Sequence, residues 1–203
     1  MDLSVPATTL AALLLGTARA TGFVLLAPPF NSRSIPAPVK AAFALALSVL
    51  LSTQIAAKLP APTAGYLAVT AVTEVVIGAA LGFVVQVFFT AVQMAGDLID
   101  VTGGFSLQPA YDPLAMTQNA TIGRLHYLLA ITLLFTSGGH LLIVKGFATS
   151  YEGIPVGGSV PTAQIAHVLL TAFSMMFLAA LQIGGPMVAV LLLADVALAL
   201  LSR

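Results

Sequence analysis

Residues 163–201 read AQIAHVLLTAFSMMFLAALQIGGPMVAVLLLADVALALL, 39 residues in which Asp195 is the one Asp, Glu, Lys or Arg. A helix apolar on every side either lies in a membrane or is wrapped by other apolar elements. A hydrocarbon core of about 30 Å takes roughly 20 helical residues. This stretch is longer, so it must tilt, bend or project beyond the bilayer. Gly184-Gly185-Pro186 predicts a kink or a split within it.

Working outward, four more apolar runs appear. The first spans about Ala7 to Ala27 with Arg19 inside it, and the Pro28-Pro29-Phe30 step ends it. The second is Ala41–Ala57 between Lys40 and Lys58. The third runs from about Tyr66 to Ala95, broken by Glu74, and the fourth is Leu125–Val144 between Arg124 and Lys145. Of twelve prolines only Pro186 sits inside a run, so proline marks the loops. The pattern predicts an all-α, multi-helix integral membrane protein. It would have about five long helices, the fifth divisible into two at Gly184-Gly185-Pro186, and one long irregular loop between the third and fourth.

Composition supports this. Of the 203 residues 59% are hydrophobic and 7% are charged, where a soluble domain carries about a quarter charged residues. Lys+Arg and Asp+Glu both number 7, so no basic field invites nucleic acid. The absence of cysteine removes disulfides, thiol chemistry and Cys-based metal sites. Met1-Asp2-Leu3-Ser4 lacks the basic start of a cleavable signal, so the N-terminus reads as structure.

The segment from Asp97 to Asn119 is unusual. It holds Asp97, Asp100 and Asp112, no basic residue, two turn-rich stretches, and the large apolar side chains Phe105, Leu107, Tyr111, Leu114 and Met116. It reads either as an extramembrane loop packed on helix ends or as a re-entrant, pore-plugging loop, because irregular backbone at membrane depth must be covered by protein or line a cavity. Asp97 and Asp100 share a helical face, and a solvated helix end is the reading their surroundings favour. Arg19, Glu74, His140 and Asp195 fall in or near apolar runs, where a charge costs about 2.5–3.5 kcal/mol. They read as structural or intersubunit polar contacts, with proton relay or gating as the functional alternative. Gly78-x-x-x-Gly82 matches the close-packing motif of membrane helices. Ser137 and His140 are the least implausible catalytic pair, but no complete constellation accompanies them, so no catalytic, cofactor or metal site is expected. A small-solute or ion transporter remains the alternative to be weighed.

The landmarks in order are Arg19, Gly22, Ala27-Pro28-Pro29-Phe30, Arg33, Ile35-Pro36, Val39-Lys40, Glu74, Gly78, Leu81-Gly82, Ala95-Gly96, Ile99-Asp100, Gly104-Phe105 and Asp112-Pro113. They continue with Gly139-His140, Ser150-Tyr151, Ile154-Pro155-Val156-Gly157, Asp195 and Leu201-Ser202-Arg203. Over essentially the whole chain they resemble the FliR family, the R-type subunits of the type III secretion export gate. The resemblance implies a non-enzymatic membrane subunit without cofactors, at the bacterial inner membrane in the flagellar basal body. It would assemble with P-type and Q-type subunits, and with the A-type and B-type export apparatus proteins, around a pore for unfolded flagellar proteins. It implies a P-like region over about 1–150 and the first arm of a Q-like hairpin over about 151–203, within a single export-gate domain. In the family a second arm follows the Leu-Ser-Arg landmark. The resemblance further implies a pore-closing loop over 103–118 with Phe105 and Tyr111 as its bulky aromatics, and the apolar Leu107 and Met116 are expected to join them in the plug, although Leu107-Gln108-Pro109 departs from the family pattern. Arg19, Glu74, Asp100, Asp112, His140 and Asp195 would be structural or intersubunit groups, and Gly78 and Gly82 helix-packing positions.

Overall fold

The computed structural model describes residues 6–57, 59, 63–104, 121–158 and 162–202. Among them six α-helices follow in order: α1 (Ala7–Leu26), α2 (Ala37–Ala56), α3 (Ala64–Thr102), α4 (Thr121–Thr136), α5 (Gly139–Gly153) and α6 (Thr162–Leu201). The fold is all-α. By length and composition α1, α2, α3 and α6 can each cross a membrane. At 39 and 40 residues, α3 and α6 are about 60 Å long, roughly twice the hydrocarbon thickness.

Prolines set the helix starts. Pro6 and Pro36 stand immediately before α1 and α2, where a missing N–H costs nothing and a fixed φ helps. Two breaks fall elsewhere than the sequence suggests. The last apolar run is not split at Gly184-Gly185-Pro186, because α6 passes through Pro186 as one helix. Proline there forfeits one backbone bond and crowds the Gln182 carbonyl, yet the helix continues on both sides of it. The fourth run does split. Its α4 ends at Thr136 and α5 begins at Gly139, with Gly138 between them at φ +74°. That left-handed conformation stops a right-handed helix and suits glycine. At 16 and 15 residues, neither half reaches the roughly 20 needed to span alone.

The chain forms two compact units. One holds α1, α2, α3 as far as Gln86, α5, and α6 as far as Leu169. Its core packs Leu15, Phe23 and Val24 of α1 with Leu47 and Leu51 of α2 and Phe147 and Tyr151 of α5. Phe147 joins α5 to α1, with ring centroids 4.8 Å from Phe23 and 5.6 Å from Tyr151 of its own helix. The other unit holds α3 from Val87, α4, and α6 from Leu170. There Val87 and Ala91 of α3 meet Met176 of α6, and a Cβ on Gly184 would come within 3.0 Å of the Ala95 carbonyl oxygen. Met176, Ala180 and Gly184 form a stripe at i, i+4, i+8, the buried edge of α6.

Candidate functional site: a buried arginine hub and an aspartate at the start of α4

Three glycines bring α1 and α3 together. A Cβ on Gly22 would overlap the Val75 carbonyl oxygen, one on Gly78 would overlap the Arg19 carbonyl oxygen, and one on Gly82 would stand 2.7 Å from the Phe23 carbonyl oxygen. Backbone-to-backbone approach of this kind is open only to glycine. Glu74 lies one turn before Gly78 on α3, so the same crossing delivers its carboxylate to Arg19.

Arg19 is 0% exposed and Glu74 1% exposed. The Arg19 Nε donates to Glu74 Oε2. Its Nη1 donates to the Ser150 hydroxyl at 3.2 Å, and its Nη2 to the Ile154 carbonyl at 2.9 Å. The guanidinium carbon lies 4.0 Å from the Tyr151 ring centroid, a cation–π contact that gains strength away from water. The Ile154 carbonyl follows α5, where helical carbonyls run out of intrahelical partners and the dipole favours a cation. All three nitrogens of one arginine are thus engaged by α3 and α5. Tyr151 in turn donates to the Gly16 carbonyl of α1 at 3.4 Å.

Sequence reasoning singled out Arg19 and Glu74 without the α5 partners. Ser150 and Tyr151 lie in the last turn of α5 and the Ile154 carbonyl just after it, and no sequence spacing signals a backbone acceptor. A second polar link follows the C-terminal end of α1, where Asn31 Nδ2 donates to Gln86 Oε1 at 2.8 Å and Lys40 Nζ donates to the Asn31 carbonyl at 3.0 Å.

In the other unit, α3 runs on through Gly96, Asp97 and Asp100 to Thr102. Asp100 is 1% exposed, which corrects the reading of a solvated helix end at that residue, while Asp97 is half-buried. Its Oδ2 accepts the Ile122 N–H at 2.9 Å and the Gly123 N–H at 3.0 Å. Those are donors of the first turn of α4, which have no carbonyl partner within their own helix.

The remaining sequence-derived positions are dispersed. His140 is half-buried at the start of α5, and Asp195 is exposed on α6. Phe105, Leu107, Tyr111, Asp112 and Met116 lie outside the described residues. Ser137 is exposed and its hydroxyl donates to the Leu134 carbonyl at 3.4 Å. Among the described residues no three His, Cys, Asp or Glu cluster as a metal site would require. An apolar groove of about 260 Å³, lined by Ile77, Leu81 and Val84 of α3 and Ile165 and Val168 of α6, carries no convergent polar groups.

Residues 10–203 match the family described as bacterial export proteins, family 1. The chain belongs to this family. It is 32% identical over 189 residues to the flagellar biosynthetic protein FliR of Escherichia coli K12, covering 91% of this chain and 71% of that protein. It is 30% identical over 195 residues to FliR of Bacillus subtilis, covering 95% and 75%. The Yop proteins translocation protein T of Yersinia pestis is 29% identical over 132 residues, covering 64% and 51%. The similarity therefore includes a translocation protein as well as flagellar ones.

Proposed function

We propose that this chain is a non-enzymatic, multi-pass subunit of a flagellar type III protein export gate. The observation that carries the reading is the family match over residues 10–203 together with the FliR relatives. In this reading it sits in the bacterial inner membrane at the flagellar basal body and assembles with P-type and Q-type subunits around a pore for unfolded flagellar proteins. The A-type and B-type export apparatus proteins are further partners. Residues from about 1 to 150 act as the P-like region, and those from about 151 to 203 as the first arm of a Q-like hairpin.

Apolar surface supports the assembly reading. Just 6% of the most apolar 18-residue stretch of α6 is buried, and Leu192, Leu193, Leu198 and Leu200 are exposed. Exposed leucine along a helix of about 60 Å cannot all be lipid-covered by a bilayer half as thick. Neighbouring apolar helices account for the remainder.

The 103–118 segment acts in this proposal as the closing element. Phe105, Leu107, Tyr111 and Met116 narrow the pore, dewet it against ions, and move aside for a polypeptide. The supporting observation is compositional: large apolar side chains between glycines and aspartates, in a stretch without basic residues.

Co-expression with P-type and Q-type subunits tests the assembly. A stoichiometric complex is expected. A stable monomer that carries a small solute would overturn the reading. In the assembled complex, Phe105→Ala with Tyr111→Ala is expected to raise ion leak, and unchanged conductance would remove the closing role while leaving the assembly intact.

A further inference from the structure

We propose that the turn between α1 and α2 is a binding site for an anionic phospholipid, with Arg33 and Lys40 holding its phosphate and the hollow beside Lys40 taking the start of an acyl chain. The inference rests on α1 and α2 crossing the membrane and is independent of the export reading.

At 20 residues each, α1 and α2 are just long enough to cross a hydrocarbon core. The chain between them, from Ala27 to Pro36, therefore lies at headgroup depth. Asn31 fastens this turn to three helices. Its Nδ2 donates to the Leu26 carbonyl of α1 at 3.1 Å and to Gln86 Oε1 of α3 at 2.8 Å, and its own carbonyl accepts from Lys40 Nζ of α2 at 3.0 Å. An ammonium carries three donors, so Lys40 keeps two for a phosphate while that bond holds it in place. Arg33 is exposed in the same turn. Because α2 begins at Ala37, the positive end of its dipole adds to the two cations.

Lys40 also lines a hollow of about 120 Å³ whose other walls are Thr21, Val24 and Leu25 of α1 and Ala37 and Ala41 of α2. Apart from Lys40 and Thr21 the lining is apolar. A cation at the edge of an apolar hollow matches an amphiphile with an anionic head. A soluble anion would use the cations but not the hollow. The charge distribution agrees. Among the described residues of this unit, Arg19 and Glu74 are buried against each other, and the remaining charges are Arg33, Lys40, Lys145 and Glu152. Lys145 lies two residues before Phe147, which packs on Phe23 towards the C-terminal end of α1. Glu152 lies with Gln54 and Ile55 at the far end of α2. The described charges at the turn end are thus all basic, as contact with an anionic leaflet favours.

The test uses the full chain extracted in detergent, with lipid retention read by native mass spectrometry. Phosphatidylglycerol is expected to be retained about ten-fold more than phosphatidylcholine of the same acyl chains, and equal retention overturns the proposal. Arg33→Gln and Lys40→Gln are each expected to lower phosphatidylglycerol retention about five-fold. Lys145→Gln removes the same charge away from the hollow and is expected to retain lipid as native. An equal loss with Lys145→Gln would reflect net charge alone and overturns the site. Ala41→Leu leaves every charge in place and fills the hollow, so retention is expected to fall; native retention overturns the acyl-chain position. Inorganic phosphate at the same concentration is expected not to displace the lipid, and displacement overturns the assignment in favour of a soluble anion. Arg33 and Ala41 are exposed, so if Lys40→Gln fails to fold for want of its bond to Asn31, those two variants decide.

Discussion

Arg19 and Glu74, 55 residues apart, form an ion pair closed off from solvent at 0% and 1% exposure. Such a pair is costly to form, because each ion loses its hydration, and the mutual attraction repays that only when further hydrogen bonds complete the site. Ser150, the Ile154 carbonyl and the Tyr151 ring provide that completion. The result ties α1, α3 and α5 at one point.

Removing one ion strands the other. Glu74→Gln leaves a buried guanidinium with a neutral partner, and Arg19→Ala leaves a buried carboxylate. Each is expected to cost about 3–5 kcal/mol. The double variant Arg19→Met with Glu74→Leu is expected to be more stable than either single one, since no unpaired charge remains. Thermal unfolding of the detergent-extracted protein checks the order. If Arg19→Ala and the double variant unfold alike, the pair is not the source of the penalty.

Tyr151 separates the two ways in which it serves the hub. Tyr151→Phe keeps the ring over Arg19 and gives up the 3.4 Å hydroxyl bond to Gly16. A bond that long is weak, so a loss below about 1 kcal/mol is expected. Tyr151→Leu removes the π-face as well and is expected to cost about 2 kcal/mol or more. Equal losses for the two variants would show that the hydroxyl, not the ring, matters.

The glycines divide into two classes with opposite expected signs. Gly78→Ala puts a methyl group into the Arg19 carbonyl oxygen, so α1 and α3 must separate and the ion pair stretches. A loss of about 1–3 kcal/mol follows. Gly146 in α5 has nothing within 4 Å of an added Cβ, and there Ala is expected to gain about 1 kcal/mol of helix propensity. Measured melting shifts of one sign for both would contradict the packing described here.

The helical class was legible because charge is so sparse that each apolar run stands out, from Ala41–Ala57 to the stretch ending at Leu201. Helix breaks were less legible. Proline looks like the stronger breaker, yet Pro186 is accommodated inside α6 while Gly138 divides α4 from α5. A proline loses one bond, whereas a left-handed residue turns the chain itself. Asp100 was misread for a related reason. Its acceptor role depends on donors 22 and 23 residues away, and local composition gives no sign of them. The intruding charges Arg19 and Glu74 were visible as anomalies, but whether they meet is decided by where Gly22, Gly78 and Gly82 let two helices touch.

Asp195 has an environment opposite to that of Arg19, being exposed near the end of α6 among Leu192, Leu193, Val196 and Leu198, all exposed as well. In lipid a bare carboxylate there would cost about 2.5–3.5 kcal/mol, so in the proposed gate it is expected to face a neighbouring subunit that supplies a polar partner. Asp195→Lys reverses the charge without touching the core of either unit. The isolated chain is then expected to melt as native, while recovery of P-type and Q-type partners in pull-down falls about ten-fold, the scale of one mispaired charge at a desolvated contact. Asp195→Asn, which keeps the hydrogen-bonding shape, is expected to lose much less. Native recovery with Asp195→Lys would place this side chain at a watery or headgroup surface rather than between subunits.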